Sequence, residues 1–122
     1  MCKWQPWSIN AVYNGLCAIG CRVVWSLKGD WLQLLDQNPN DNPKFWVRPW
    51  LPQIEALHHP AIKAGMTHCG WGGCLEFISA GVPVVTFPHF ADQSTNSELL
   101  VKNKAGVLLH FKRRSPFDFD AL

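Results

Sequence analysis

The sequence predicts an α/β fold in which a parallel sheet carries helices on both faces. Short runs rich in β-branched and aromatic residues alternate with segments whose apolar residues recur at helical spacing. The chain has 122 residues, of which 48% are apolar and 16% are charged, a composition typical of a globular domain. Because a chain of this length has room for one core but not for two, we expect one domain over residues 1–122.

The first two elements are a helix and a strand. Ser8 can cap the helix, and Gly20 can end it. Apolar residues recur between them at helical spacing, at Ile9, Val12, Leu16 and Cys17. The run from Arg22 to Leu27 is rich in β-forming residues and predicts the first strand.

Two more strands follow, separated by short helical segments and a loop. A weak helical stretch near Trp31 to Leu35 leads into a segment rich in turn residues, Asn38 to Pro43. Phe45 to Arg48 predicts the second strand. Pro52 suits the first turn of a short helix through Leu57, and Met66 to His68 predicts the third strand.

The rest of the chain continues this alternation. Gly72 and Gly73 open a helix that Gly81 ends, before a strand from Val84 to Phe87. Asp92 or Ser94 can cap the next helix, which runs to about Lys102.

A last strand, Gly106 to Phe111, completes the predicted sheet. In sheets of this kind ligands bind outside the carboxyl ends of the strands, where loops lead into helices. Three loops there are rich in polar and aromatic residues: those around Trp50, from His68 to Gly73 and from Pro88 to Gln93. We therefore expect a binding site at this edge.

The segment from His68 to Glu76 carries groups suited to a phosphate and a ribose. A helix start presents unpaired N–H groups and a positive dipole end, which favour an anion, and Gly72 and Gly73 allow close approach. His68 can add a hydrogen bond, and Trp71 offers a face for stacking. Glu76 lies about one turn into the helix, where its carboxylate can accept two hydrogen bonds from vicinal hydroxyls.

Two further loops offer groups for a base and for a sugar. Trp50 supplies a flat face on which a base can stack, although Trp46 competes with it for that role. Asp92 and Gln93 can bind sugar hydroxyls through acceptor and donor groups together.

Together these groups lie in one uninterrupted run, WLPQIEALHHPAIKAGMTHCGWGGCLEFISAGVPVVTFPHFADQ, residues 50–93. It resembles the 44-residue signature of family 1 UDP-glycosyltransferases, best known from plant secondary metabolism. The resemblance implies that Trp50 stacks on uracil and that Gln53 lies beside the base. It also implies that His68 contacts the diphosphate and that Glu76 contacts the ribose hydroxyls.

The same resemblance assigns the transferred sugar to Asp92 and Gln93, and Gln93 favours UDP-glucose as the donor. The sequence departs from the plant pattern at two places. Gly72 and Gly73 stand where plant members have Asn-Ser, so two side-chain contacts are missing while the backbone donors remain. Phe87 stands where plant members usually have tryptophan.

The resemblance implies the GT-B fold, which has two Rossmann-like domains and needs no metal or other cofactor. This chain is similar to the C-terminal, UDP-sugar-binding domain, and it lacks that domain's first strand. The implied reaction transfers a hexosyl group to a small lipophilic acceptor. We assign no catalytic base here, because the catalytic His-Asp pair belongs to the N-terminal acceptor domain or to a partner chain.

Two other functions remain open. One is a soluble donor-binding subunit of a two-chain glycosyltransferase, and the other is a non-catalytic nucleotide-binding module. Without the missing strand, the strands at Val23 to Leu27 and Met66 to His68 either pair directly or expose their edges. Exposed edges invite association, so we expect marginal stability or self-association.

Several functional classes are excluded by composition and spacing. A zinc site is disfavoured because the candidate ligands form no C-x2-C or H-x3-H pair; they are His58, His59, His68, Cys69, Cys74 and His89. Cys69 and Cys74 are expected to fill the core. The odd count of five cysteines favours reduced thiols and the cytoplasm. No segment is apolar enough to span a bilayer, and the single basic run, Lys112 to Arg114, does not indicate nucleic-acid binding.

Overall fold

The computed structural model describes residues 4–89 and 91–109. Contacts within the chain divide it into two compact units, Met1–Gln53 and Ile54–Leu122, and each is described by itself. The expected single domain over residues 1–122 stays a prediction.

The first unit is built from two helices, a 3-10 helix and two parallel strands. In chain order its elements are α1 (Pro6–Ile19), β1 (Val23–Ser26), α2 (Gly29–Leu32), the 3-10 helix Pro39–Asp41 and β2 (Phe45–Arg48). Strand β1 pairs with β2 in parallel, from Val23 opposite Phe45 to Ser26 opposite Arg48. The parallel pairing predicted from the alternation of helices and strands is therefore observed.

Helix α1 starts before the residue expected to cap it. Gln5 is the N-cap, and Pro6 is the first helical residue, a position that proline suits because its missing N–H would have no partner there. Ser8 lies inside the first turn, where its hydroxyl accepts from the Gln5 N–H at 3.1 Å. The prediction that Ser8 is the N-cap was therefore wrong. Gly20 ends the helix with φ of 75°, as predicted.

The core of the first unit lies between α1 and the two strands. Its buried members are Ile9, Tyr13, Leu27, Phe45 and Val47. The rings of Tyr13 and Phe45 meet edge to face, with centroids 5.0 Å apart. Asn10 of α1 ties down the segment after α2, because its side chain donates to the Leu34 carbonyl and accepts from the Asp36 N–H.

The second unit alternates helices with a three-stranded parallel sheet. Its elements are α3 (Gln53–His58), β3 (Gly65–Thr67), α4 (Trp71–Ala80), β4 (Val84–Thr86), α5 (Gln93–Lys102) and β5 (Gly106–Leu108). Strand order is β3-β4-β5, with Gly65 opposite Val84 and Val84 opposite Gly106. The predicted last strand extends to Phe111, but β5 ends at Leu108 and Leu109 lies outside it, whereas residues 110 and 111 lie outside the described residues.

Helix α4 packs on β3 around Phe77. A Cβ added at Gly65 would overlap the Phe77 ring, so glycine at this position allows the helix to lie close to the strand. Six other buried residues complete this core: Leu57, Cys69, Cys74, Val82, Val84 and Leu100. Gly81 ends α4 in the left-handed conformation, with φ of 67°.

Strands β1, β2, β3 and β5 each have an unpaired edge among the described residues. Strand β1 pairs with β2 alone, and β3 pairs with β4 alone, in different sheets. Within residues 4–89 and 91–109, no helix has both the length and the apolar character of a membrane span.

Candidate functional site

The first turn of α4 presents backbone donors at the end of β3. Gly70 is the N-cap and has no side-chain cap bond, and the first N–H with an acceptor in this turn is that of Cys74, 3.0 Å from the Gly70 carbonyl. The N–H groups of Trp71, Gly72 and Gly73 precede it and have no helical acceptor. This arrangement can bind an anionic group.

The turn before α4 adopts an unusual backbone conformation at Cys69. Its φ is 71°, a left-handed conformation that costs a non-glycine residue roughly 1 to 3 kcal/mol. Hydrogen bonds fix the turn, because the Cys69 N–H donates to Thr67 Oγ1 at 3.2 Å and the Cys69 carbonyl accepts from Asn96 Nδ2 at 3.0 Å. The strained residue is thus held from both sides.

His68 lies beside this turn with its side chain half-buried. Its Nε2 is 3.0 Å from the place that a Cβ on Gly70 would occupy, so a larger residue at position 70 would displace the ring. Burial lowers the pKa of His68, which favours the neutral imidazole at pH 7. The ring can therefore offer a hydrogen bond to a phosphate oxygen rather than a full positive charge.

Glu76 and Trp71 extend the site along α4. Glu76 follows Gly72 by four residues and Gly73 by three, so these positions share one helix face. Glu76 is half-buried, whereas Trp71 is 53% exposed and can offer its ring to a ligand.

Asp92 and Gln93 lie where the loop after β4 enters α5. Gln93 is buried, and its Oε1 accepts from the His89 N–H at 2.9 Å. Its side-chain oxygen therefore shapes this loop, a role that the sequence did not predict. Asp92 is exposed, and its Oδ2 accepts from Asn96 Nδ2 at 3.1 Å.

Asn96 connects the two loops and was missed by sequence reasoning. Its amide donates both to the Cys69 carbonyl before α4 and to the Asp92 carboxylate at the start of α5. Gln93, Asn96 and Ser97 are polar residues at i, i+3 and i+4, and their burial is evident only from the structure.

Trp50 and Gln53 belong to the first unit, so their proximity to the α4 site stays a prediction. Trp50 is 74% exposed, and Gln53 is the first residue of α3. The competing ring, Trp46, has the Arg48 guanidinium 4.5 Å from its centroid. One face of Trp46 is thus occupied, which leaves Trp50 as the more accessible stacking surface.

Cys69 and Cys74 lie in the core, as expected. Both side chains are almost fully buried, and burial raises the pKa of the Cys69 thiol to about 12. A thiol that stays protonated at neutral pH is a poor nucleophile. In the part of the chain that the structure describes, no cluster of three or more His, Cys, Asp or Glu residues could hold a metal ion.

The family model described as UDP-glucoronosyl and UDP-glucosyl transferase matches residues 2–121. The chain belongs to this family. Among its relatives is UDP-glucose flavonoid 3-O-glucosyltransferase 7 from Fragaria ananassa. That protein is 36% identical over 114 residues, which cover 88% of this chain and 23% of the relative.

Solved structures in the same group share the fold. Os79 from O. sativa in complex with UDP superposes with a TM-score of 0.84 and 29% identity, over 93% of this chain and 27% of that one. UGT71G1 from Medicago truncatula, complexed with UDP-glucose, gives a TM-score of 0.78 and 32% identity, over 89% of this chain and 24% of that one.

Family and fold class are confirmed by these likenesses. The UDP-glycosyltransferase resemblance of residues 50–93 and the α/β fold of the GT-B type both hold. The chain spans about a quarter of the length of the relatives it matches.

Proposed function

We propose that this chain is the UDP-sugar-binding portion of a UDP-glycosyltransferase. The observation that carries the proposal is the first turn of α4, where the N–H groups of Trp71, Gly72 and Gly73 follow Gly70, the N-cap that the His68 ring approaches. Three backbone N–H groups at a helix start favour a phosphate.

The ribose and the uracil of the UDP-sugar are bound by other residues of the signature. Glu76 binds the ribose hydroxyls from the helix face it shares with Gly72 and Gly73. Trp50 stacks on uracil, with Gln53 beside the base. This order places the diphosphate at the helix start and the ribose about one turn further along.

Asp92 and Gln93 bind the transferred hexose, which we propose is glucose. Asp92 is exposed at the start of α5, and its carboxylate is oriented by Asn96. Support for glucose comes from the relatives, since the Medicago truncatula structure contains UDP-glucose and the Fragaria ananassa relative is named for it.

In the reaction this chain stabilises the leaving group. Donors at the start of α4 can neutralise the charge that develops on the UDP diphosphate as the glycosidic bond breaks. A base that deprotonates a small lipophilic acceptor comes from an N-terminal acceptor domain or a partner chain. We propose that no metal is needed and that the protein acts in the cytoplasm.

A non-catalytic nucleotide-binding function is the second candidate, and the Gly72-Gly73 pair favours it. With glycine at both positions, the site keeps its backbone donors but has no side chains there to hold the sugar. Such a site would bind UDP and UDP-glucose with equal affinity.

Calorimetric titration of the folded chain with UDP and UDP-glucose tests the donor site. We expect both to bind, UDP-glucose more tightly, with affinities unchanged by EDTA. His68→Ala and Trp71→Ala should weaken binding, whereas His59→Ala, at an exposed histidine outside the site, should not. Failure of the folded chain to bind either nucleotide at millimolar concentration would refute the proposal.

A further inference from the structure

The buried face of helix α5 consists mostly of polar residues, whereas the buried face of a helix is usually apolar. Its buried residues are Gln93, Asn96, Ser97 and Leu100, spaced at i, i+3, i+4 and i+7. A helix that packs on a core normally places apolar residues at such positions. Because buried polar groups destabilise a fold unless they are hydrogen-bonded, the partners of these side chains indicate what this face does.

Each polar residue of this face bonds a different segment. Gln93 accepts from the His89 N–H in the loop after β4. The Ser97 hydroxyl forms a buried hydrogen bond of 2.7 Å with Thr86 Oγ1 in β4. Asn96 bonds both the turn before α4 and the start of α5.

The amide of Asn96 has a determined orientation. Both of its neighbours are acceptors, the Cys69 carbonyl at 3.0 Å and Asp92 Oδ2 at 3.1 Å, so the nitrogen must face them. An amide nitrogen carries two N–H donors, and both are used. Asn96 is 7% exposed, so water competes little for these bonds.

We infer that Asn96 is a positioning residue for the donor sugar. It holds the Asp92 carboxylate in the orientation that a sugar hydroxyl requires, and it fixes that carboxylate relative to the turn that leads into α4. This inference rests on the proposed function. Loss of the amide would leave the Cys69 carbonyl and the Asp92 carboxylate without this donor, and the spacing between the diphosphate and sugar sites would relax.

Ser97 provides a matched control. Ser97→Ala also removes a buried hydrogen bond from α5, but its partner Thr86 is not one of the site residues. Both Asn96→Ala and Ser97→Ala should therefore lower the melting temperature. Only the Asn96 change should alter the preference for UDP-glucose over UDP.

The test is a titration of wild type, Asn96→Ala and Ser97→Ala with UDP and UDP-glucose, at a temperature where all three are folded. We expect Asn96→Ala to weaken UDP-glucose binding on the order of tenfold, the effect of losing a hydrogen bond to a charged group, and to weaken UDP binding less. Combining it with Asp92→Ala should cost no further sugar affinity beyond Asp92→Ala alone. Equal preference for UDP-glucose over UDP in wild type and Asn96→Ala would overturn the inference.

A measurement on the unmodified chain covers the case in which Asn96→Ala does not fold. The side-chain NH2 resonances of Asn96 should shift on addition of UDP-glucose and shift less with UDP. Those of Asn103, which bonds the Leu99 carbonyl at the exposed end of α5, should not move. If UDP-glucose binds and the Asn96 side-chain resonances do not shift, the inference is overturned. If the wild-type chain binds neither UDP-glucose nor UDP, the proposed function is contradicted instead.

Discussion

At the scale of single residues, the two glycines in the first turn of α4 are not required by packing. A Cβ on Gly72 would have no atom within 4 Å, and one on Gly73 would lie 3.6 Å from Thr67 Oγ1, an ordinary contact. Both positions therefore have room for the Asn-Ser pair of the plant signature. Their effect is to keep the backbone donors while removing two side chains that could bind the ligand.

We predict that Gly72→Asn combined with Gly73→Ser strengthens UDP-glucose binding. Each new side-chain hydrogen bond contributes roughly 0.5 to 1.5 kcal/mol, so the pair should raise affinity about tenfold. Calorimetric titration measures the change, with Gly72→Ala combined with Gly73→Ala as the control for helix stabilisation. Unchanged or weaker binding in the Asn-Ser variant would show that these positions do not face the donor.

Cys69 gives the fold a pH dependence above neutrality. Burial raises the pKa of its thiol from 9.0 to about 12, so the unfolded chain loses this proton at lower pH than the folded chain. The folded state then binds more protons between these values, and the free energy of unfolding falls as pH rises through them. Below pH 9 this contribution is fully present.

We predict a decrease in the free energy of unfolding from pH 8 to pH 10.5 that Cys69→Ala reduces. Urea unfolding at a series of pH values measures it, and the difference between the two chains isolates this thiol from other groups that titrate there. Parallel pH profiles for wild type and Cys69→Ala would contradict the assignment.

At the scale of elements, the contact between β3 and α4 sets the position of the candidate site. Phe77 of α4 lies against Gly65 of β3 so closely that a methyl group at position 65 has no space. The Phe77 ring belongs to the buried core of this unit, where close packing opposes its displacement. The N-terminus of α4 is thus fixed to the strand end that carries His68.

We predict that Gly65→Ala lowers the free energy of unfolding by about 1 to 3 kcal/mol, the usual effect of overpacking a core, and weakens UDP binding. Gly15→Ala is the matched control, since a Cβ there has no atom within 4 Å and lies inside α1. That change should stabilise the chain by roughly 0.5 to 1 kcal/mol. Chemical denaturation compares the two, and equal stability of both variants would contradict the packing described.

Much of the element pattern was predictable because local signals coincide with it. Gly20 and Gly81 end α1 and α4 as predicted, and β2 has the predicted bounds. The prediction failed where a tertiary contact determines the end of an element. Helix α2 ends at Leu32 rather than Leu35, because the Asn10 side chain holds the following segment in a non-helical conformation.

The candidate site was predictable only where the signature covers it. Residues 68–76 fall at a strand end and a helix start, as their spacing indicates. Asn96 lies three residues beyond the signature, and a polar residue on a polar helix gives no sign of burial until its partners are known. The loop-shaping role of Gln93 was missed for the same reason, since the His89 N–H that it binds is a backbone group.

At the scale of the whole molecule, the described residues leave strand edges and large apolar side chains exposed. Strands β1 and β3 each have an unpaired edge among the described residues. The most exposed large apolar residues are Trp50 at 74%, Ile19 at 73% and Val107 at 61%. Unpaired edges and exposed apolar side chains both favour association.

We predict that the 122-residue chain self-associates as its concentration increases. Sedimentation velocity should show a rising average mass, and calorimetry should show a melting temperature that depends on concentration. A monomer at all concentrations, with a sharp two-state melt, would contradict this prediction.

The central claim is that the first turn of α4 binds the diphosphate of a UDP-sugar. Backbone amide resonances of the chain, recorded during titration with UDP, test it most directly. We expect the largest shifts at Trp71, Gly72 and Gly73, with smaller shifts at His68 and Glu76. Saturable binding that leaves these five amides unchanged, or moves residues elsewhere instead, would contradict the account.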